Sequence, residues 1–176
     1  MMATRGEATG LGLDGAEQSA KTTRKSPPSQ THVPSPAKWL GALGAIPFVF
    51  LALAGPFIEA SFQERAHFGL AAYGAVILSF LGGVHWGLAI ADAGSVQSNG
   101  ATFARLGISV VPSLVGWGAL LLSKPISLLV LAAAFLGLLL FDMHASRKAQ
   151  TPAWYPKLRW PLTVVVAASL TFAAFT

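Results

Sequence analysis

"YGAVILSFLGGVHWG", residues 73–87, decides the fold of this chain. It lies inside a run from Ala66 to Ala91 that contains no Asp, Glu, Lys or Arg. A hydrocarbon core of about 30 Å is crossed by about 20 helical residues, with about 17 as the lower limit. In lipid every backbone N–H must be satisfied within its own segment, so the run reads as a transmembrane helix. Working outward, four further charge-free runs appear: between Lys38 and Glu59, Leu106 to Ser123, Pro125 to Phe141, and Trp160 to the end. The composition agrees, with 53% hydrophobic and only 11% charged residues among 176. The expected fold is all-α, a polytopic membrane protein with a five-transmembrane-helix bundle spanning approximately 39–59, 67–92, 104–123, 125–143 and 159–175. Lys124 and Arg159, at the edges of short spans, are expected to snorkel to the interface.

Residues 1–37 are rich in Gly, Ala, Ser, Thr and Pro and end in "KSPPSQTHVPSPAK". With no apolar periodicity and little to bury, they are expected to form a disordered cytoplasmic tail. No apolar stretch follows the first charges, so the tail does not read as a secretory signal, and Glu7, Asp14 and Glu17 weaken a mitochondrial transit reading. The membrane domain, 38–176, has short connections: "SFQER", "AGSVQSNGATFA" and "SKP", then the longer "HASRKAQTPAWYPKL". Five spans put ten of the twelve Lys and Arg residues on one side, leaving Arg65 and Lys124 on the other. That asymmetry predicts an N-terminus in the cytoplasm and a C-terminus outside. Trp39, Trp154, Tyr155 and Trp160 occupy positions of interfacial anchors. The basic residues flank membrane spans, so the net charge of +5 signals topology rather than nucleic-acid binding.

Counting by fours through the second span gives Ala71, Ala75, Ser79, Gly83, Gly87 and Ala91, all small. Small residues let helix backbones approach in lipid, where apolar burial supplies no net drive. The row, with its GxxxG pair Gly83 and Gly87, predicts the central packing seam inside the bundle in preference to the alternative, a dimer face. His85 then points away from the row, sharing a face with Leu78, Leu81, Gly82 and, seven residues on, Asp92. An ionisable group about 10 Å inside the interface faces a cavity or a partner. Two readings stand: a proton-handling, ligand-gripping or metal-binding ring, and a neutral imidazole hydrogen-bonded to a carbonyl or serine of a neighbouring helix.

Other polar candidates are fewer. Glu59 is read as ending the first helix, with Glu64, Arg65 and His67 close behind. Pro112 should kink the third span, with Ser113 recapturing a freed carbonyl. Asp142 could pair with Arg105, Arg147 or Arg159 and clamp the inner end of the bundle. Asp142 and His144 diverge by about 200° on their helix, which argues against a shared metal with His85. There is no cysteine, no HExxH, no P-loop and no GxSxG. No cofactor and no enzymatic activity are expected.

The segments "YGAVILSFLGGVHWG", "SVVPSLVGW" and "PAWYPKLRWPLT" together resemble the transmembrane protein 69-like family of bacterial inner-membrane proteins, which has mitochondrial relatives. The resemblance covers about residues 38 to 175 and implies an integral inner-membrane protein, bacterial or else mitochondrial. It brings no catalytic residues. Two function classes follow: a non-enzymatic scaffold or accessory protein working with a membrane-protein partner or as a homo-oligomer, and a small transporter or proton-coupled channel using His85, with Asp92 or Glu59. The surrounding partner in either case is the lipid bilayer.

Overall fold

The computed structural model describes residues 33–92, 99–147 and 154–176. Among these residues there are five α-helices: α1 (Ser35–Ala54), α2 (Ala60–Asp92), α3 (Asn99–Leu120), α4 (Ile126–Arg147) and α5 (Tyr155–Ala174). Four are long and apolar enough to cross a membrane, with mean hydropathies of 2.0, 1.7, 1.4 and 2.4 over their best windows in chain order. The fifth, α5, has 20 residues and carries Lys157 and Arg159 near its start. Its lower hydropathy is a matter of those two charges, and one of them is neutralised inside the bundle, as shown below. The chain is an all-α membrane bundle.

Proline and glycine placement decides where helices begin and end. Pro36 and Pro156 sit in the first turns of α1 and α5, where a missing N–H costs nothing. The helix α1 therefore starts at Ser35, ahead of the expected 39, and residues 1–32 of the expected tail lie outside the described residues. At its other end α1 runs into a 3₁₀ turn, Gly55–Phe57. "SFQER" is not the connection to the next helix; it belongs to α2, which starts at Ala60. The sequence from Ser61 to Phe68 contains no breaker, whereas Gly55 and Pro56 stand just before it. Glu59 accordingly precedes α2 instead of ending α1, and its carbonyl accepts the amides of Phe62 and Gln63. At 33 residues, α2 is about 50 Å long and exceeds the hydrocarbon thickness. The expected connection "AGSVQSNGATFA" is partly helical, because α3 begins at Asn99; its residues 93–98, like residues 148–153 of the last connection, lie outside the described residues.

Consecutive helices pack in a ring that closes with α1 against α5, and α2 reaches across it to α4 and α5 as well. Gly74 marks the centre: a Cβ there would meet Leu131 of α4 at 3.3 Å, Phe48 of α1 at 3.7 Å and Leu170 of α5 at 3.9 Å. Phe48, fully buried, sets its ring 5.0 Å from Tyr73 and edge-on to Phe135 at 5.9 Å. The Tyr73 hydroxyl donates to the Gly44 carbonyl at 3.1 Å, pinning α2 to the middle of α1. Outside this core, large apolar side chains such as Trp39, Phe50, Trp117 and Leu140 are exposed, as lipid contact requires.

The small row on α2 does not pack as a unit. Ala71 and Ala75 are buried and Ser79 is half-buried, but Gly83, Gly87 and Ala91 are exposed. A Cβ at Gly83 or Gly87 would meet nothing within 4 Å. The expectation that these two glycines form the internal seam is overturned. The physical reason is rotation: each i, i+4 step advances about 40° around the helix, so Gly83 has turned about 120° from Ala71 and Gly87 about 160°. The buried line follows alternating steps of four and three, through Ala71, Ala75, Leu78, Gly82, His85 and Ala89. The seam with α3 is made there. A Cβ at Gly82 would stand 2.5 Å from the Ser109 carbonyl oxygen, and one at Gly116 would stand 3.1 Å from the Ala75 Cα. Trp86, on the other side, is 42% exposed.

Candidate functional site

The buried line on α2 carries His85 to the place where the inner ends of α4 and α5 arrive. Asp142 projects from the last turns of α4 and is fully buried. Arg159 reaches it from the first turns of α5, its Nε donating to Asp142 Oδ2 at 2.8 Å. His85 Nε2 lies 2.6 Å from Asp142 Oδ1. An ionised carboxylate only accepts, so Nε2 carries the hydrogen and donates it. One carboxylate therefore ties three helices together with charge-assisted bonds at both oxygens. The His85 ring also stands edge-on to Phe141, with centroids 5.1 Å apart.

Of the basic residues considered as partners for Asp142, Arg159 is the one in contact. It does not snorkel: it is 6% exposed and turned into the bundle. Burying an ion without a counter-ion is expensive, and Asp142 supplies the counter-ion that lets a charged residue sit inside α5. The other polar candidates are elsewhere. Glu59 is exposed, about 37 Å along the helix axis from His85, and takes no part in the cluster. Asp92 is the last residue of α2, and its side chain lies outside the described residues. His67 sits near the opposite end of α2, where Lys124 Nζ donates to its Nε2 at 3.1 Å. Partial burial lowers the Lys124 ammonium from its usual range. In α3 the hydroxyl that captures a carbonyl is that of Ser109, donating to Leu106 at 2.6 Å, rather than that of Ser113. Among the described residues no group of three His, Asp or Glu side chains is placed to share a metal ion.

A cavity of about 750 Å³ opens between α2, α3 and α4, with His85 in its wall. Its deep part is apolar, lined by Leu78, Pro112, Val115 and Val130, while Arg105 and His144 stand with His85 at the polar end. The ring thus has one nitrogen committed to Asp142 and one side turned to a space that could take a small molecule. Rings of this kind can pass a proton or orient a ligand, and Asp142 with Arg159 would hold the tautomer.

Gly82, which the sequence placed on the face of His85, is the seam glycine of this neighbourhood; Tyr155, expected as an interfacial anchor, turns a buried hydroxyl inward, and Thr163 was not singled out. The alternation of four and three that marks Gly82 is legible in the sequence. Nothing in the sequence singles out Tyr155 or Thr163 as buried polar groups.

Comparison with known proteins adds the family. The sequence pattern described as "Protein of unknown function (DUF3429)" matches residues 33–175. The chain is 40% identical over 139 residues to "Transmembrane protein 69" of Xenopus tropicalis, covering 78% of this chain and 53% of that protein. It is 29% identical over 137 residues to the protein of the same name from Mus musculus, covering 77% and 54%. The chain thus spans about half the length of the curated relatives it matches. No solved structure matches it significantly. With the match running from just before α1 to the end of α5, the chain belongs to the DUF3429 family of proteins of unknown function and is a transmembrane protein 69-like protein.

Proposed function

We propose that this protein is a non-enzymatic accessory or assembly protein of a membrane complex, working through a helix partner within the bilayer. The observation that carries this is the outer face of α2. Val76, Phe80, Gly83, Gly87 and Ile90 follow the alternation of four and three that keeps one face toward a partner helix, and all five are exposed. Two glycines with open space above them, flanked by large apolar side chains, offer a seat for another helix backbone. Most elements with substance lie within the bilayer, and that too suits a protein that acts by lateral contact. The basic bias of the N-terminal segment and of the two even connections supports a cytoplasmic N-terminus in the bacterial inner membrane.

The chain has no cysteine, so Gly87→Cys creates a unique attachment point for a photo-crosslinker. In native membranes that probe is expected to give one discrete protein adduct, lost when Gly83→Leu is added. The same probe at Val164, which is exposed on α5, should give none. Equal labelling from both positions, or an adduct indifferent to Gly83→Leu, would sink the reading.

A second reading is favoured by the His85 cavity: proton-coupled transport, with His85 as the group that gains and loses the proton. Under it His85→Ala removes flux in proteoliposomes, whereas under the first reading His85→Ala leaves the Gly87 adduct in place.

A further inference from the structure

A second cleft, of about 580 Å³, lies on the other flank of α2, between α1, α2 and α5. It exists because α1 leans on α5 instead of following α2. Gly41 lets α1 close on Leu162, where a Cβ would come within 2.7 Å of a Leu162 methyl. The contact between α1 and α2 is fastened at mid-membrane, by Tyr73 on the Gly44 carbonyl. Toward the inner side the two helices leave a gap. Leu40 and Phe80 line its edges and are 69% and 66% exposed, so the gap opens laterally into lipid.

The wall contributed by α5 is unusual for so apolar a space. Tyr155 Oη, Arg159 Nη2 and Thr163 Oγ1 are buried, and none has a hydrogen-bond partner among the described residues. Arg159 is 6% exposed and Thr163 is 1% exposed. Spaced by four, the three residues share one face of α5, and all three line the cleft. Unpaired buried donors are uncommon in native proteins, and each needs an explanation. All three can donate, so together they call for an acceptor oxygen. The charge on Arg159 is already balanced by Asp142, so a neutral acceptor suits the site better than an anionic phosphate, which would bring an uncompensated charge into low dielectric. Phe48, Phe80 and Phe135 add aromatic surface to the walls, which suits a flat ring.

We propose that the cleft between α1, α2 and α5 binds the ring of a membrane-soluble quinone, its carbonyl oxygens accepting hydrogen bonds from Arg159, Thr163 and Tyr155. The tail leaves between Leu40 and Phe80 into the bilayer. This is a binding site on the opposite flank of α2 from the His85 cavity, and it goes beyond the accessory role: an accessory protein with such a site would report on, or deliver, a neutral redox lipid.

The test uses the purified full chain in phosphatidylcholine nanodiscs, titrated with a decyl-tailed benzoquinone. Quenching of tryptophan fluorescence reads binding, because Trp154 lines the cleft. Saturable quenching is expected. Thr163→Val and Tyr155→Phe should each weaken the affinity about 5–10-fold, as loss of one hydrogen bond implies. Neither should lower the unfolding temperature of the ligand-free protein, since each deletes an unpaired polar atom. Affinities unchanged in both variants, or quenching that never saturates, would overturn the proposal. Parallel titrations with a diacylglycerol (ester carbonyls, no ring) and with phosphatidylglycerol (an anion) test the ligand class. Tighter binding of either than of the quinone would overturn the assignment.

Discussion

Asp142→Ala is expected to destabilise the bundle by about 3–5 kcal/mol, the largest effect of any single substitution outside the apolar core. The loss comes from what remains. Removing the carboxylate strands the buried Arg159 guanidinium and leaves the His85 N–H without the acceptor it now has. The cluster also joins α2, α4 and α5 where α2 and α5 otherwise touch little. Replacing both partners by apolar residues of similar size, Asp142→Leu with Arg159→Met, should restore most of the lost stability, because no charge is then left uncompensated. Thermal unfolding in mild detergent measures both. A double variant as unstable as Asp142→Ala would mean that the ion pair itself, and not the stranded charge, carries the energy.

Gly82→Val is expected to cost about 1–3 kcal/mol or more, while the same substitution one residue on, Gly83→Val, should change stability by no more than about 0.5 kcal/mol. At Gly82 the obstacle is a carbonyl oxygen of α3, held by its own helix at 2.5 Å from where a Cβ would stand, with Pro112 next to it at 3.4 Å. Backbone cannot rotate away as a side chain can, so α2 and α3 must separate, and their contact is the most extensive in the molecule. At Gly83 there is open space. Unfolding temperatures of the two variants, compared in one detergent, decide the register of the seam. Equal losses would place both glycines in contacts and remove the exposed face of α2 on which the accessory reading stands.

The adjacent pair shows where the sequence was sufficient and where it was not. Charge-free runs of the right length, read against the thickness of a bilayer, were enough for the number of helices and their class, because that physics is local and one-dimensional. Of the small residues on α2, Ala75 and Gly82 lie in close contact with α3, and Gly83 and Gly87 do not. The row that caught the eye, Ala71 to Ala91 by fours, winds about 200° around the helix and cannot remain in one interface. The alternation of four and three, which compensates that drift, picks out Gly82 and with it His85. His85 was visible as an anomaly, an ionisable ring deep in a span, and its partner belonged to the short set of charges near the same interface. The choice of Arg159 over Arg105 and Arg147 as the cation of the cluster depends on how α5 is rotated against α4, which no pattern in the sequence specifies. Tyr155 read as an interfacial anchor and Thr163 not at all, for the same reason: whether a hydroxyl on a helix is buried is decided by its neighbours in space. Helix limits were misread where a polar stretch, "SFQER", looked like a loop; without Gly or Pro in it, the helix simply continues to Ala60.

Native mass spectrometry of the protein, extracted gently at its natural abundance, shows whether another helix occupies the exposed face of α2 in the native membrane. A second polypeptide at fixed stoichiometry is expected with the wild-type chain, and its absence from the Gly83→Leu, Gly87→Leu variant, whose fold should be intact because a Cβ at either site meets nothing within 4 Å. A bare monomer from the wild-type chain, or a complex that survives both leucines unchanged, would contradict that occupancy.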